Sequence, residues 1–215
     1  MPLHTNIYCI SGLGADHRLF SQLQIPGCRF VAVPWVPWHE EDHMTSYAKR
    51  MFQTIPEENP IVLGLSFGGM LTTEIAKAFT VRKAIIVSSA KTRNEAGYKN
   101  SFINWLNRSQ LVPANLFNYP FRFELFSLGA ETQKERSLLR NVIRDGNPAF
   151  VKSCVNALLT WENDTIPAGI VHIHGTKDRV LYPGNVHPDH WVQGGSHIMI
   201  YNRAAEVSGL IAAHL

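Results

Sequence analysis

Charge is the scarcest property of this 215-residue sequence: Asp, Glu, Lys and Arg make up 17% of it, against about 25% in an average soluble domain. The formal net charge is only +3 with His neutral, and the basic residues form no tract, which argues against a nucleic-acid partner. Cysteine is scarce too. Cys9, Cys28 and Cys154 are odd in number and far apart, with no Cys-x-x-Cys pair or zinc-ligand spacing. Neither a disulfide framework nor a zinc knuckle is expected. No window approaches the roughly 18–20 consecutive apolar residues of a membrane span. The opening MPLHTNIYCISG lacks the basic region and apolar stretch of a secretory signal. We therefore expect no membrane partner and a reducing, cytoplasmic setting. No GxGxxG or GKS/T nucleotide loop is present, so no cofactor is expected.

What is there is hydrophobic residue, 45% of the chain. A chain of this length buries roughly 70% of its unfolded surface, enough for one domain spanning residues 1–215. Oligomeric state is not legible. Short apolar runs bounded by Gly, Pro and Ser recur at Asn6–Ile10, Arg29–Val33, Pro60–Leu65, Arg82–Val87, Gly169–His174 and His190–Gln193. Several are nearly continuous in apolar residues (IVLGL, AIIVSS, GIVHIH), as parallel strands covered on both faces require. Helix-like stretches lie between them at Thr45–Gln53, Phe67–Phe79, Pro148–Trp161 and Tyr201–His214. Thr45 and Asn147 are the expected caps, the latter ahead of Pro148. The alternation predicts an α/β fold, a doubly wound and mainly parallel sheet.

About 80 residues separate the strand ending near Ser89 from the next, far more than a crossover helix needs. Residues 91–145 or so therefore form an insertion, read as a helical cap. Seven of the chain's 22 Phe, Trp and Tyr residues crowd into Phe102–Phe126. Trp105, Phe121 and Phe126 are the candidates among them for contacting an apolar group on a substrate.

The sharpest motif is Gly64-Leu65-Ser66-Phe67-Gly68, placed where an apolar strand meets a helix-like stretch. That context suits a nucleophile elbow, in which the serine occupies a strained turn above the sheet and the flanking glycines let the backbone pass closely. Here the chain resembles a small, cofactor-free α/β-hydrolase. The resemblance implies three further features. Ile10-Ser11-Gly12-Leu13-Gly14 is similar to the family's oxyanion loop, with Ser11 in place of the usual histidine. It implies an oxyanion hole from the Leu13 and Phe67 amides, supported by Gly12, Gly14, Gly64 and Gly68. His174-Gly175-Thr176-Lys177-Asp178-Arg179-Val180 resembles the segment carrying the acid, making Asp178 the residue that orients the base. Gly194-Gly195-Ser196-His197 places His197 on a Gly-rich loop, as the family places its base. Chain order, Ser66 then Asp178 then His197, is that of the fold.

The resemblance implies a serine esterase or thioesterase with a Ser-His-Asp triad, acting on a small ester or thioester that carries an apolar group. It also implies a six-stranded sheet, lacking the first two of the family's eight strands, in the order 2-1-3-4-5-6. Two other readings stand beside it: a binding protein built on the same fold, and a metal-dependent hydrolase using His172, His174, Asp178, His187 and His190. The elbow is unexplained by the metal reading, so no metal is assigned. His4, His39, His43 and His214 read as surface residues.

Overall fold

A computed structural model describes residues 4–97 and 122–215. Six strands order the chain: β1 (Thr5–Ile10), β2 (Cys28–Ala32), β3 (Ile61–Leu65), β4 (Lys83–Val87), β5 (Val171–Gly175) and β6 (His190–Val192). The helices among the described residues are α1 (Met44–Phe52), α2 (Phe67–Ala78), α3 (Arg93–Ala96), α4 (Arg122–Leu128), α5 (Gln133–Asp145), α6 (Pro148–Leu159), α7 (Met199–Asn202) and α8 (Ala204–Ala212). None is long and apolar enough to cross a membrane.

The strands form one sheet in the order β2-β1-β3-β4-β5-β6, the order the resemblance implies. Every neighbouring pair is parallel, so the sheet is wholly rather than mainly parallel. Side chains alternate across it with period two. Tyr8, Ile10 and Val62 face a core with α1, α2 and α6. Ile7, Cys9, Ile61, Leu63, Leu65, Ile85, Val87, Val171 and Ile173 face another, with the Leu19–Phe20 turn, α7 and α8. This double coverage is why β3 and β4 read as continuous apolar runs.

Two local expectations are corrected. Helix α1 starts at Met44 and is capped by His43, whose ring accepts from the Ser46 N–H while the Ser46 hydroxyl accepts from the His43 N–H. The Thr45 hydroxyl is instead drawn 2.9 Å from Glu74 on α2. The single helix expected over Tyr201–His214 begins earlier and breaks at Arg203 into α7 and α8. Asn147 does cap α6, accepting from Ala149 and Phe150.

Helix α3 opens the expected insertion, and α4 and α5 are described at its far end. These last two are tied to the sheet's upper loops: the Leu128 carbonyl accepts from Ile198 N–H at 3.2 Å, and Asp145 pairs with Arg18 at 2.9 Å. Trp105 and Phe121 lie outside the described residues. Phe126 is exposed, its ring lying under the Arg179 guanidinium at 4.0 Å.

Candidate active site

Ser66 sits between β3 and α2 with φ 53° and ψ −120°, a positive φ that a residue with a Cβ rarely adopts. The surroundings hold it there. Its N–H donates to the Val87 carbonyl at 3.0 Å. Its carbonyl accepts from the Ser89 hydroxyl at 2.6 Å and from the Gly69 N–H at 2.8 Å. A Cβ on Gly64 would lie 2.3 Å from the Gly68 carbonyl, and one on Gly68 would lie 2.2 Å from both the Ile10 and Ser11 carbonyls. The elbow is thus pressed against the end of β1, and the glycines are what allow it.

Asp178 follows β5 and His197 follows β6. The two loops meet backbone to backbone: Thr176 N–H donates to Val192 at 3.1 Å and Lys177 N–H to Gly195 at 2.9 Å. A Cβ on Gly175 would fall 2.3 Å from the Gly195 carbonyl oxygen. This brings His197 Nδ1 to 2.8 Å from Asp178 Oδ2, and His197 Nε2 to 2.9 Å from Ser66 Oγ. A carboxylate only accepts, so Nδ1 carries the proton and donates it, leaving Nε2 to accept from the serine hydroxyl. The other Asp178 oxygen accepts from the Val180 and Leu181 amides at 2.8 and 3.0 Å. The carboxyl is thereby held by three donors while 3% exposed.

The loop after β1 packs on the elbow, where a Cβ on Gly12 would touch Ser66 Cβ at 3.4 Å. Gly14 has φ +65°, and Trp35 Nε1–H donates to the Ala15 carbonyl at 2.9 Å. Phe67 is the first residue of α2, so its amide is one of those with no carbonyl partner inside the helix, at the positive end of the helix dipole. Sequence reasoning missed the aromatic group beside it: Trp35 lies 6.2 Å from Phe67, 5.2 Å from Phe150 and 6.4 Å from Tyr47. The Pro34-Trp35 stretch carries no periodic signal that could have revealed this.

The histidines proposed as a metal cluster are differently occupied. His172 and His174 share a strand face, fully buried, but they bond each other, Nε2 to Nδ1 at 3.1 Å. His190 pairs with His214 at 2.6 Å, so His214 is not simply a surface residue. Among the described residues, no group of three or more His, Cys, Asp or Glu is arranged to hold a metal ion.

Burial holds His172 well below the ordinary imidazole range, reinforced by His174 and Lys91 and weakly opposed by the Ser89 carbonyl. Burial also lowers His174, with His197 adding to it and Asp178, the Leu181 carbonyl and Glu95 opposing it. In the unfolded chain both rings titrate near pH 6.5. Below that value the unfolded chain takes up protons that the folded one refuses. Stability is therefore full above about pH 6.5 and falls with acidification, by at most about 1.4 kcal/mol per pH unit for a ring and only until the pH reaches that ring's folded pKa. Urea unfolding should give a lower midpoint at pH 5.5 than at pH 7.5, and a His172→Phe variant should show a shallower dependence. An unchanged slope in that variant would contradict a neutral buried His172.

No family model matches the chain, and no curated protein does. Solved structures do. The chain is similar to an esterase from Exiguobacterium antarcticum at 14% identity and a TM-score of 0.72, over 100% of this chain and 92% of that one. It is similar to a thermophilic esterase from Thermogutta terrifontis at 13% identity and a TM-score of 0.73, over 99% and 90%. A bromoperoxidase from Bacillus anthracis matches at 16% identity and a TM-score of 0.72, over 98% and 91%. Likeness at such low identity is likeness of fold, and the chain has the α/β-hydrolase fold.

Proposed function

We propose that this chain, an α/β-hydrolase by fold, is a serine hydrolase that cleaves a small carboxylic ester or thioester through an acyl-enzyme. The observation that carries the reading is the run of hydrogen bonds from Ser66 Oγ through His197 to Asp178, set on a positive-φ elbow. The esterases among the similar structures support it. Ser66 Oγ attacks the carbonyl carbon and its proton passes to His197 Nε2. Asp178 stabilises the resulting imidazolium and keeps Nδ1 facing it. The carbonyl oxygen, now anionic, is stabilised by the Leu13 and Phe67 amides, donors whose individual loss costs about 3–4 kcal/mol in such sites. His197 returns the proton to the leaving alkoxide or thiolate. It then takes one from water, which attacks the acyl-enzyme, and passes that proton to Ser66 Oγ as the serine leaves and the acid is freed. The aromatic stretch 102–126 supports a substrate with an apolar group, and three unpaired cysteines support a reducing, cytoplasmic setting.

A fluorophosphonate probe tests this. Covalent labelling mapped to Ser66, unaffected by a chelator, together with turnover of p-nitrophenyl esters or acyl-CoA thioesters of graded length, is the expected result. Activity lost to the chelator would favour metal-assisted hydrolysis. A folded protein with neither labelling nor turnover would favour a binding role.

A further inference from the structure

Among the buried titratable side chains that this reaction leaves unused, His172 and His174 stand directly behind Asp178. The face of β5 opposite Val171 and Ile173 carries two fully buried imidazoles where a parallel strand would ordinarily present aliphatic side chains. Burying two polar rings is costly unless their nitrogens are partnered, and the partners found lead to the proposed active site. His174 Nε2 lies 3.0 Å from the Leu181 carbonyl oxygen and 3.5 Å from Asp178 Oδ2. The Leu181 N–H, on the same residue, donates to Asp178 Oδ1.

The protonation pattern follows from the acceptors. A carbonyl oxygen only accepts, so His174 Nε2 carries a proton. In a neutral ring Nδ1 is then a bare acceptor, and its partner at 3.1 Å, His172 Nε2, must be a donor. His172 Nδ1 is left bare and buried: the Ser89 carbonyl lies on that side without hydrogen-bond geometry, so the 3.0 Å contact with the Leu181 carbonyl decides the tautomers. The arrangement thus leaves one buried acceptor unsatisfied, which destabilises the fold. Two apolar residues on β5 would leave none.

We propose that His174 is a positioning residue for Asp178: as a neutral Nε2–H imidazole, its tautomer set by His172, it holds the Leu181 carbonyl and so fixes the 178–181 turn. With that turn fixed, the Val180 and Leu181 amides point at Asp178 Oδ1, and Oδ2 remains directed at His197. The His174 N–H also presents its positive end toward Oδ2 in a water-poor setting, where such a dipole is felt strongly. This inference rests on the serine-hydrolase reading, because a positioning role has meaning only if Asp178 orients a base.

The test pairs His174→Leu with His174→Gln. Leucine fills similar space without a donor, whereas glutamine extends an N–H toward the Leu181 carbonyl. His174→Leu is expected to lose at least about tenfold in kcat with KM changed less than twofold, and His174→Gln to recover most of the loss. A purely space-filling role would move both variants equally, and equal losses would overturn the proposal, as would full kcat in His174→Leu. Nitrogen-15 shifts of the wild-type imidazoles should show both rings neutral and protonated at Nε2. A cationic or Nδ1-protonated His174 would overturn the proposal even if neither variant folds. A wild-type protein that resists the fluorophosphonate probe would instead remove the serine reading, while the nitrogen shifts still decide the His174–Leu181 contact.

Discussion

Ser66→Ala is expected to lower kcat for ester hydrolysis by about 10⁵-fold or more, the scale seen when a serine nucleophile is removed from such a site. The loss is large because the parts act together. Without Oγ there is no acyl-enzyme, His197 has no serine proton to accept, and what remains is whatever the oxyanion donors and substrate binding contribute with water as nucleophile. The cost in stability should be small by comparison. The substitution removes one hydrogen bond to His197, about 1 kcal/mol, and keeps the β-carbon that the backbone at φ 53° already carries. Purified Ser66→Ala should therefore melt near the wild-type temperature while showing no turnover above background and no fluorophosphonate labelling. A variant hydrolysing esters at even a few per cent of the wild-type rate would sink the assignment.

Gly68→Ala is the substitution expected to damage the fold most for its size. The added methyl would sit 2.2 Å from the Ile10 and Ser11 carbonyl oxygens and 2.7 Å from the Ile10 carbonyl carbon. These are backbone atoms at the end of a strand hydrogen-bonded on both sides, to β2 and β3, so no rotamer change relieves the clash. Either the start of α2 lifts or the end of β1 retreats. The expected cost exceeds the about 1–3 kcal/mol of ordinary overpacking and takes a large share of the total of a typical domain, about 5–15 kcal/mol. Gly209→Ala is the matched control: it lies inside α8 with nothing within 4 Å of the new methyl. Replacing a helix-interior glycine there should stabilise by about 0.5–1 kcal/mol. Urea midpoints for the two variants should move in opposite directions, and a Gly68→Ala midpoint close to wild type would refute the contact.

Which features could be read from the sequence follows from how local their causes are. The strands were legible because a sheet covered on both faces needs uninterrupted apolar residues, and β3 and β4 carry them. Ser66, Asp178 and His197 stood out because each lies on a turn whose glycines and position after a strand are themselves sequence features. The helix cap at Thr45 was misread because its hydroxyl is recruited by Glu74, 29 residues away, and local pattern holds no trace of that. The His172–His174 alternation placed both rings on one face, yet a bond to the Leu181 carbonyl depends on the path of the following turn. Trp35 escaped for a similar reason: its partners Tyr47, Phe67 and Phe150 come from three separate helices.

The hydrogen bond joining Ser66 to His197 spans 131 residues of sequence. The ribosome builds a chain from its N-terminal end, so the elbow and the strands beside it emerge long before His197. A serine hydroxyl alone is a poor nucleophile at neutral pH. On the proposed mechanism, the nascent protein therefore carries Ser66 in an unarmed form until the β6 loop docks. Under the proposed mechanism, a chain made only as far as β5 holds the elbow and the acid's strand but no catalytic base.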